Sequence, residues 1–165
     1  MLGYVGLGSN LGDREAHLRA GVIAMARGGV SPVALSSLWE TEPVDGAGPD
    51  WFLNMVARVD TPLSPEDVLG VLMAAERERG RVRLQPNAPR ELDLDLLMLG
   101  GLRRSTPELT LPHPRLGMRR FVLAPLAELA PEFESSLAAL DDRHEVRWAG
   151  KLALPETLPV YSPAL

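Results

Sequence analysis

Two aspartates alternate with leucines in the segment 90–99, RELDLDLLML, and this pattern constrains the fold more than any other stretch. A period of two predicts a β-strand, because successive side chains of a strand point to opposite faces of a sheet. The prediction puts Leu92, Leu94, Leu96 and Met98 on one face and Asp93, Asp95, Leu97 and Leu99 on the other. The second face therefore has an acidic end that lies at an opening and an apolar end that is covered.

Asp93 and Asp95 are the candidate metal ligands of the chain. Their Cα atoms would lie roughly 6.5–7 Å apart on a strand, and two such carboxylates suit Mg²⁺, which fills its other positions with water and phosphate oxygens. Arg90 follows Pro89 just before the strand and adds a guanidinium of the kind found in phosphate sites. Two plainer interpretations stay open: the aspartates face solvent on an amphipathic edge strand, and Arg90 is only their salt-bridge partner.

The composition predicts a single domain that spans residues 1–165. A chain of this length with 45% hydrophobic residues can bury one good core. No run of 18 apolar residues is present, and the first ten residues lack the basic start of a secretory signal, so we expect a cytoplasmic protein without a membrane span. The absence of cysteine excludes disulfides, thiolate metal sites and a cysteine nucleophile.

Positive charge is concentrated in the middle of an acidic chain. The net charge is −5, which argues against nucleic-acid binding through the whole surface. Residues 77–120 nevertheless contain ten arginines and five acidic residues. A local cationic centre of this kind suits a small polyanion such as a nucleotide.

Strand and helix signals alternate along the first 130 residues. We expect strands over 2–7, 33–39, 52–59 and 92–99, and helices over 13–27, 65–80 and 121–129. The second helix is the best signalled, because Ser64 is a natural N-cap and Pro65 suits the first helical position. The order β-α-β-β-α-β predicts an α+β ferredoxin-like sandwich, a mainly antiparallel sheet with helices on one face. Residues 132–165 are expected to extend the same domain.

Isolated polar and aromatic residues add to the candidate site. Asn54 lies within an apolar strand, where its amide needs partners and could read the edge of a heterocycle. Phe52 shares its face and could stack on a flat ring, although a strand phenylalanine is more often core. His113 lies between two prolines on a stiff segment, where a functional role and a packing role are equally open. The GSNLGD turn lacks the lysine and hydroxyl of a P-loop, so a P-loop NTPase is rejected.

Several motifs together resemble the 6-hydroxymethyl-7,8-dihydropterin pyrophosphokinase family of folate biosynthesis. They are GLGSNLGDR at the N-terminus, FLNMV at 52–56, ERERGRVR at 76–83, APRELDLDLL at 88–97 and LPHPRLGMRRFVLAPLAELAP at 111–131. The resemblance runs from about residue 2 to 131. It implies the ferredoxin-like sandwich and an enzyme that transfers the terminal diphosphate of ATP to the hydroxymethyl group of the reduced pterin and releases AMP.

The resemblance also implies roles for individual residues. Asp93 and Asp95 would bind two Mg²⁺ ions, Asp95 could accept the hydroxyl proton, and Arg81 and Arg90 would neutralise charge on the transferred phosphates. The implied pterin contacts are Phe52, Phe121, Asn54, Thr41 and Val44. The implied nucleotide contacts are Glu76, Arg81, Arg83, Arg90, Leu96, Thr110, His113 and Arg119. The segments 8–13, 43–50 and 81–89 would be loops that close over ATP and pterin, and the enzyme is expected to be a monomer.

The chain departs from the family pattern at three places. The stretch QPNAPR lacks the aromatic that often precedes the proline-arginine pair, so loop closure cannot use that stacking contact. Phe52 stands where many members have tyrosine, which removes a hydroxyl hydrogen bond. Glu108 stands where some relatives carry arginine, which weakens one phosphate contact.

Two other function classes would use some of the same residues. A Mg²⁺-dependent nucleotidyltransferase or nuclease would also use paired aspartates, but it should show a third acidic ligand and a broader basic surface. A ferredoxin-like binding module without catalysis would leave Asp93 and Asp95 as solvent decoration.

Overall fold

The computed structural model describes residues 1–44, 49–80 and 90–163. The strands are β1 (Leu2–Ser9), β2 (Ser31–Leu35), β3 (Trp39–Thr41), β4 (Phe52–Asp60), β5 (Asp93–Leu99), β6 (Arg104–Ser105), β7 (Thr110–Leu111) and β8 (Val146–Trp148). The helices are α1 (Arg14–Arg27), α2 (Pro65–Glu78), α3 (Arg120–Leu129) and α4 (Glu134–Ala139), with a 3₁₀ turn over Pro131–Phe133. None of the helices in the described part of the chain has the length and apolar character needed to cross a membrane.

The main sheet is antiparallel throughout. Its strand order is β5-β1-β4-β3-β8, and β2 pairs with another stretch of β4. Residues of α1 and α2 pack with one face of the sheet in the larger core, and residues of α3 pack with the other face around Val56 and Leu97. The predicted α+β sandwich is confirmed. Helices lie on both faces of the sheet rather than on one, because α3, which follows the six elements of the predicted β-α-β-β-α-β order, packs its apolar residues on the second face.

Helix α2 begins where the sequence places its cap. The hydroxyl of Ser64 accepts a hydrogen bond from Asp67 N at 3.1 Å and donates one to the Asp67 carboxylate at 2.8 Å. Pro65 occupies the first helical turn, where its missing N–H costs nothing. Gly80, two residues beyond the helix, has φ 82°, a conformation that glycine adopts without strain. Local chemistry therefore fixes both ends of this helix.

The strand predicted over 33–39 is in fact two strands. β2 ends at Leu35 and β3 begins at Trp39, and the serines between them interrupt the ladder. Ser37 N and Ser37 Oγ both donate to the carboxylate of Glu128, at 3.2 and 2.9 Å, instead of to a strand partner. A carboxylate from α3 thus ends one strand and starts the next, which the local sequence does not indicate.

Strand β5 contains a bulge that changes the predicted faces. Two consecutive residues of β1 pair with Leu96 and Met98, so Leu97 has no opposite residue in the ladder. Leu97 packs against α3, whereas Leu99 joins the larger core with Leu94 and Leu96. The predicted common face of Leu97 and Leu99 is therefore wrong, because an extra residue reverses the alternation beyond it. Met98 likewise packs on the α3 side.

The segment after α3 belongs to the main sheet. α4 packs on α3 through Leu137, and β8 pairs with β3 so that Thr41 lies opposite Val146. The ladder continues beyond the strand at both ends, since Glu42 N donates to Glu145 O and Leu38 N donates to Gly150 O. Residues 145–150 thus belong to the edge of the sheet beside β3.

Candidate active site

A cavity opens on the α3 side of the sheet, where β3, β4 and β5 meet the start of α3. The lining residues are Thr41, Glu42, Val44, Phe52, Asn54, Arg90, Asp93, Asp95, Arg119 and Phe121. All but Glu42 are residues that the sequence and its resemblance predict for the site. Residues that lie up to 80 positions apart in the sequence therefore line one concave surface.

The two aspartates face this cavity from an edge strand. Asp93 lies opposite Gly8 of β1 and Asp95 opposite Gly6, so neither β1 residue places a side chain beside the carboxylates. The Asp93 side chain is 22% exposed, and its Oδ2 lies 3.3 Å from Arg90 Nη1. The plainer interpretations hold in part: β5 is the outer strand in the described sheet and Arg90 does pair with Asp93. The carboxylates nevertheless face a cavity rather than open solvent.

Asp95 has the most strongly perturbed acidity of the cluster. Burial, followed by the negative charges of Asp93 and Glu76, raises the pKa of Asp95 to about 6, although Arg119 and Arg90 oppose this effect. Each cause disfavours the charged form, because a carboxylate in a poorly hydrated place beside other carboxylates gains from taking a proton. The cluster therefore favours a bound cation or a proton.

Asn54 is fixed by its neighbours on β3 and β1. Asn54 Nδ2 donates to Thr41 Oγ1 at 2.7 Å, and both residues are buried. A Cβ added to Gly8 would lie 2.5 Å from Asn54 Oδ1 and 3.6 Å from Phe52 Cδ1, so only glycine leaves room for this arrangement. The amide is thus held in place at the cavity wall before any ligand arrives.

Each phenylalanine of the cavity has an arginine near its ring. The guanidinium carbon of Arg90 lies 5.8 Å from the centre of the Phe52 ring, and that of Arg119 lies 5.4 Å from the centre of the Phe121 ring. These distances are within the range of cation–π attraction. The aromatic and cationic parts of the cavity are therefore adjacent.

The N-terminal GSN turn holds the backbone of Arg90. Asn10 Oδ1 accepts a hydrogen bond from Arg90 N at 2.8 Å, and Asn10 N donates to Arg90 O at 3.1 Å. Asn10 is buried, and the sequence indicated only a turn residue there. A partner 80 positions away is not visible in a local motif. The same holds for Glu42, whose Oε2 accepts a hydrogen bond from Glu145 N at 3.0 Å.

The other predicted nucleotide contacts lie around the cavity rather than in its wall. His113 N donates to Leu97 O at the bulge, and burial, with the charges of Arg119 and Arg115, lowers the pKa of His113. Glu76 is buried on α2 and accepts a hydrogen bond from Leu94 N at 2.9 Å.

Two further predicted contacts are not among the residues that line the cavity. The Leu96 side chain lies in the larger core, and Thr110 is exposed on the β6–β7 hairpin. Arg81 and Arg83 lie outside the described residues, as do all of 81–89 and residues 45–48 of the predicted loop 43–50. The predicted roles of Arg81, Arg83 and these loop residues therefore stay predictions.

Within residues 1–44, 49–80 and 90–163, histidine and acidic side chains form no group of three placed to hold a metal ion. The third acidic ligand expected of a nuclease or nucleotidyltransferase is thus absent from the described residues. Among the described residues, Asp93 and Asp95 beside Arg90 are the candidate ligands for a cation.

Comparison with known proteins identifies the family. Residues 4–131 match the sequence model described as 7,8-dihydro-6-hydroxymethylpterin-pyrophosphokinase (HPPK). The chain is 38% identical over 158 residues to the 2-amino-4-hydroxy-6-hydroxymethyldihydropteridine pyrophosphokinase of Bacillus subtilis, covering 94% of this chain and 95% of that one. The enzyme of the same name from Pseudomonas aeruginosa is 42% identical over 142 residues, covering 86% and 85%.

A solved structure supports the fold. A crystal structure described as HPPK-DHPS in complex with substrates superposes with a TM-score of 0.66 at 12% identity, covering 84% of this chain and 43% of that one. At this identity the likeness concerns the fold, and this chain spans less than half of that protein. The sequence matches carry the assignment: the chain belongs to the 7,8-dihydro-6-hydroxymethylpterin-pyrophosphokinase family.

Proposed function

We propose that the cavity on the α3 side of the sheet is the active site in which this chain transfers diphosphate from ATP to the hydroxymethyl group of 6-hydroxymethyl-7,8-dihydropterin. The pterin oxygen attacks the β-phosphorus, the bond from that phosphorus to the bridging α,β-oxygen breaks, and AMP leaves with that oxygen. One observation carries the proposal: an acidic pair, two arginines and a wall of two phenylalanines with a fixed amide line the same cavity.

The pterin is assigned to the aromatic part of the cavity. A flat heterocycle gains from stacking on Phe52 and Phe121, and its amide edge matches the donor and acceptor of Asn54. Because Asn54 Nδ2 already donates to Thr41 Oγ1, the amide loses little freedom when a ligand binds. The neighbouring backbone of Thr41 and Val44 completes this wall.

The donor set of Asp93 and Asp95 fits Mg²⁺. Two oxygen ligands at an open cavity leave the remaining positions to water and phosphate, which is the usual way that proteins bind this ion with nucleotides. The raised pKa of Asp95 supports the fit, since a cation relieves the repulsion that raises it. Bound Mg²⁺, in two ions, would shield the phosphate charge and lower the pKa of the pterin hydroxyl.

The arginines and Asp95 perform the steps that belong to the protein. Arg90 and Arg119 attract the phosphate oxygens from two sides of the cavity and stabilise charge on the departing AMP. Asp95 is the candidate acceptor for the hydroxyl proton, because its carboxylate lines the cavity in which the pterin hydroxymethyl group would bind. Arg81 and Arg83 would add further positive charge from the loop 81–89.

A direct assay tests the proposal. The purified chain, ATP, Mg²⁺ and the hydroxymethyl pterin should yield AMP only when pterin is present. Asp95→Ala should lower the rate at least about a hundredfold, whereas Asp141→Ala, whose carboxylate is 95% exposed, should match the unmodified enzyme. Formation of ADP or inorganic diphosphate, or an active Asp95→Ala enzyme, would contradict the assignment.

Three further properties stay predictions. The pairing of β8 with β3 supports one domain that includes residues 132–165. A monomer is expected, and light scattering during size-exclusion chromatography would check it. The cytoplasmic location inferred from the sequence would be checked by cell fractionation.

A further inference from the structure

Residues 141–148, here called the C-terminal strap, lie beyond the segment that matches the family and touch both walls of the cavity. On one side, the strap runs antiparallel to β3, with Val146 opposite Thr41. Glu42 N donates to Glu145 O at 2.9 Å, and Glu145 N donates back to Glu42 Oε2 at 3.0 Å. The backbone beside Thr41, which carries the hydrogen bond to Asn54, is therefore paired with the strap.

On the other side, the strap caps helix α3. Arg119 occupies the N-cap position and provides no side-chain hydrogen bond to the helix. Instead, Asp142 Oδ2 accepts a hydrogen bond from Arg120 N at 2.9 Å. The first N–H groups of a helix lack partners within the helix and favour a negative charge, so a carboxylate from elsewhere in the chain can replace the missing cap.

Asp142 is itself held in place by a local turn. Asp142 Oδ1 accepts a hydrogen bond from His144 N at 3.0 Å and lies 2.6 Å from His144 Nδ1. Burial opposes ionisation, but the hydrogen bonds from Arg120 N and His144 outweigh it and hold the pKa of Asp142 below its usual value. One oxygen therefore fixes the turn while the other reaches α3.

A third contact attaches the strap close to the aromatic wall. The guanidinium carbon of Arg147 lies 4.7 Å from the centre of the Trp51 ring, and Trp51 directly precedes Phe52. Each attachment is next to a cavity residue: Arg120 lies between Arg119 and Phe121, Glu42 follows Thr41, and Trp51 precedes Phe52.

We propose that the C-terminal strap sets the separation of the two pterin-binding walls and that Asp142 is a positioning residue for pterin binding. Asp142 touches neither substrate; it acts through the start of α3. When its contact to Arg120 N is lost, the first turn of α3 frays, and the fraction of molecules with Phe121 in place falls. The apparent dissociation constant for pterin rises in proportion to that loss. The inference rests on the proposed pterin site.

Binding measurements on the full chain separate this role from a purely structural one. Calorimetry would measure pterin binding to protein saturated with Mg²⁺ and an α,β-methylene ATP analogue, and binding of the analogue alone. Asp142→Ala should raise the pterin dissociation constant about five- to tenfold, the effect of a lost helix cap. Analogue affinity should fall less than pterin affinity, because Arg119 lies at this turn but Arg90 does not, and the stoichiometry of analogue binding counts the folded sites.

Three variants sharpen the test. Asp142→Asn has a single acceptor oxygen for the two N–H groups of Arg120 and His144, so its pterin affinity should lie between those of the unmodified chain and Asp142→Ala. Asp142→Ser keeps an acceptor for the local turn at His144 N but is too short to reach α3, so it should bind pterin as weakly as Asp142→Ala while folding better. Asp141→Ala, an exposed neighbour, should change nothing.

Specific outcomes would overturn the inference. Unchanged pterin affinity in Asp142→Ala and Asp142→Ser would do so, as would equal losses for pterin and nucleotide, or an Asp142→Asn variant that binds pterin more weakly than Asp142→Ala. Asn54→Ala distinguishes the two proposals. If it too leaves pterin affinity unchanged, the assigned pterin site is wrong; if it alone weakens pterin binding, only the role of the strap is wrong.

Discussion

Gly8 lies between the two chemical parts of the site, opposite Asn54 on β4 and opposite Asp93 on β5. The nearest atom to an added Cβ would be Asn54 Oδ1 at 2.5 Å, which is too close for any real contact. Gly6, two residues earlier, presents the same face of β1, but its added Cβ would meet only Leu97 at 3.7 Å. The two glycines therefore form a matched pair with different steric demands.

We expect Gly8→Ala to weaken pterin binding at least about tenfold, because the new methyl group displaces the Asn54 amide from its partner Thr41. Gly6→Ala should bind pterin within about twofold of the unmodified enzyme. Titration of pterin in the presence of a nucleotide analogue measures both constants. Equal effects of the two substitutions would contradict this explanation.

Asp95 makes the stability of the metal-free protein depend on pH. Its pKa is about 6 in the folded chain and about 3.9 when unfolded. Between these values the folded state binds more protons, so the free energy of unfolding falls as pH rises from about 4 to about 6 and then levels off. The charged carboxylate thus destabilises the fold at neutral pH when no cation is bound.

We therefore expect metal-free Asp95→Asn to be more stable than the unmodified chain at pH 7, by about 1–3 kcal/mol, and equally stable near pH 4. Urea unfolding in the presence of EDTA at both pH values measures the difference. Asp141→Asn removes an exposed carboxylate and should show no such trend. A difference that does not change with pH would contradict the assigned cause.

At the scale of residues, sequence reasoning recognised the cavity wall but not what supports it. Asp93, Asn54 and Arg90 were visible because unusual residues stood in apolar or proline-bounded contexts. Asn10 and Glu42 were missed because their partners, Arg90 and Glu145, lie 80 and 103 positions away. A supporting contact between distant residues leaves no pattern in the sequence around either partner.

One carboxylate of helix α3 adds hydrogen bonds to the apolar packing between this helix and the sheet. Glu128 accepts hydrogen bonds from Ser37 N, Ser37 Oγ and, at 2.7 Å, Trp39 Nε1. The Glu128 side chain is only 29% exposed, and Lys151 Nζ lies 3.7 Å away. These contacts occur where β2 ends and β3 begins, so one side chain organises two elements.

We expect Glu128→Ala to lower the free energy of unfolding by about 1–3 kcal/mol, because it leaves the donors of Ser37 and Trp39 without their acceptor. Glu132→Ala, an exposed glutamate in the following 3₁₀ turn, should change it by less than about 0.5 kcal/mol. Thermal or urea unfolding measures both. Equal stability of the two variants would show that the Glu128 contacts contribute little.

Element prediction succeeded where the signal was local. The cap at Ser64 and the start of α2 follow from neighbouring residues, and the period of two in β5 identifies a strand. The split of the expected strand 33–39 depends on Glu128, and the bulge at Leu97 depends on pairing with β1. Tertiary contacts decide such interruptions, so residue periodicity alone cannot place them.

Across the whole molecule, charge is distributed unevenly. Ten arginines in residues 77–120 create a positive region, and the remaining chain is strongly acidic. Arg90 and Arg119 bring part of that positive charge into the cavity. Long-range attraction of ATP should therefore weaken as salt screens the charges, whereas a neutral pterin should be unaffected.

We expect the KM for ATP to rise at least about threefold when ionic strength increases from about 0.05 to about 0.5 M. The KM for pterin should change by less than about 1.5-fold over the same range. Steady-state assays at fixed Mg²⁺ measure both values. A parallel rise of the two constants would point instead to a general effect of salt on the enzyme.

Strand β5 is the outer strand of the described sheet, and such strands invite pairing with another molecule. Three of its features work against such pairing. The bulge at Leu97 interrupts the regular ladder, and the Leu97 carbonyl already accepts a hydrogen bond from His113 N. The inward-facing charges of Asp93 and Asp95 make a continuous apolar edge impossible. We therefore expect the two carboxylates assigned to substrate chemistry also to disfavour the addition of one copy's sheet to another, which would tie catalysis to resistance against aggregation.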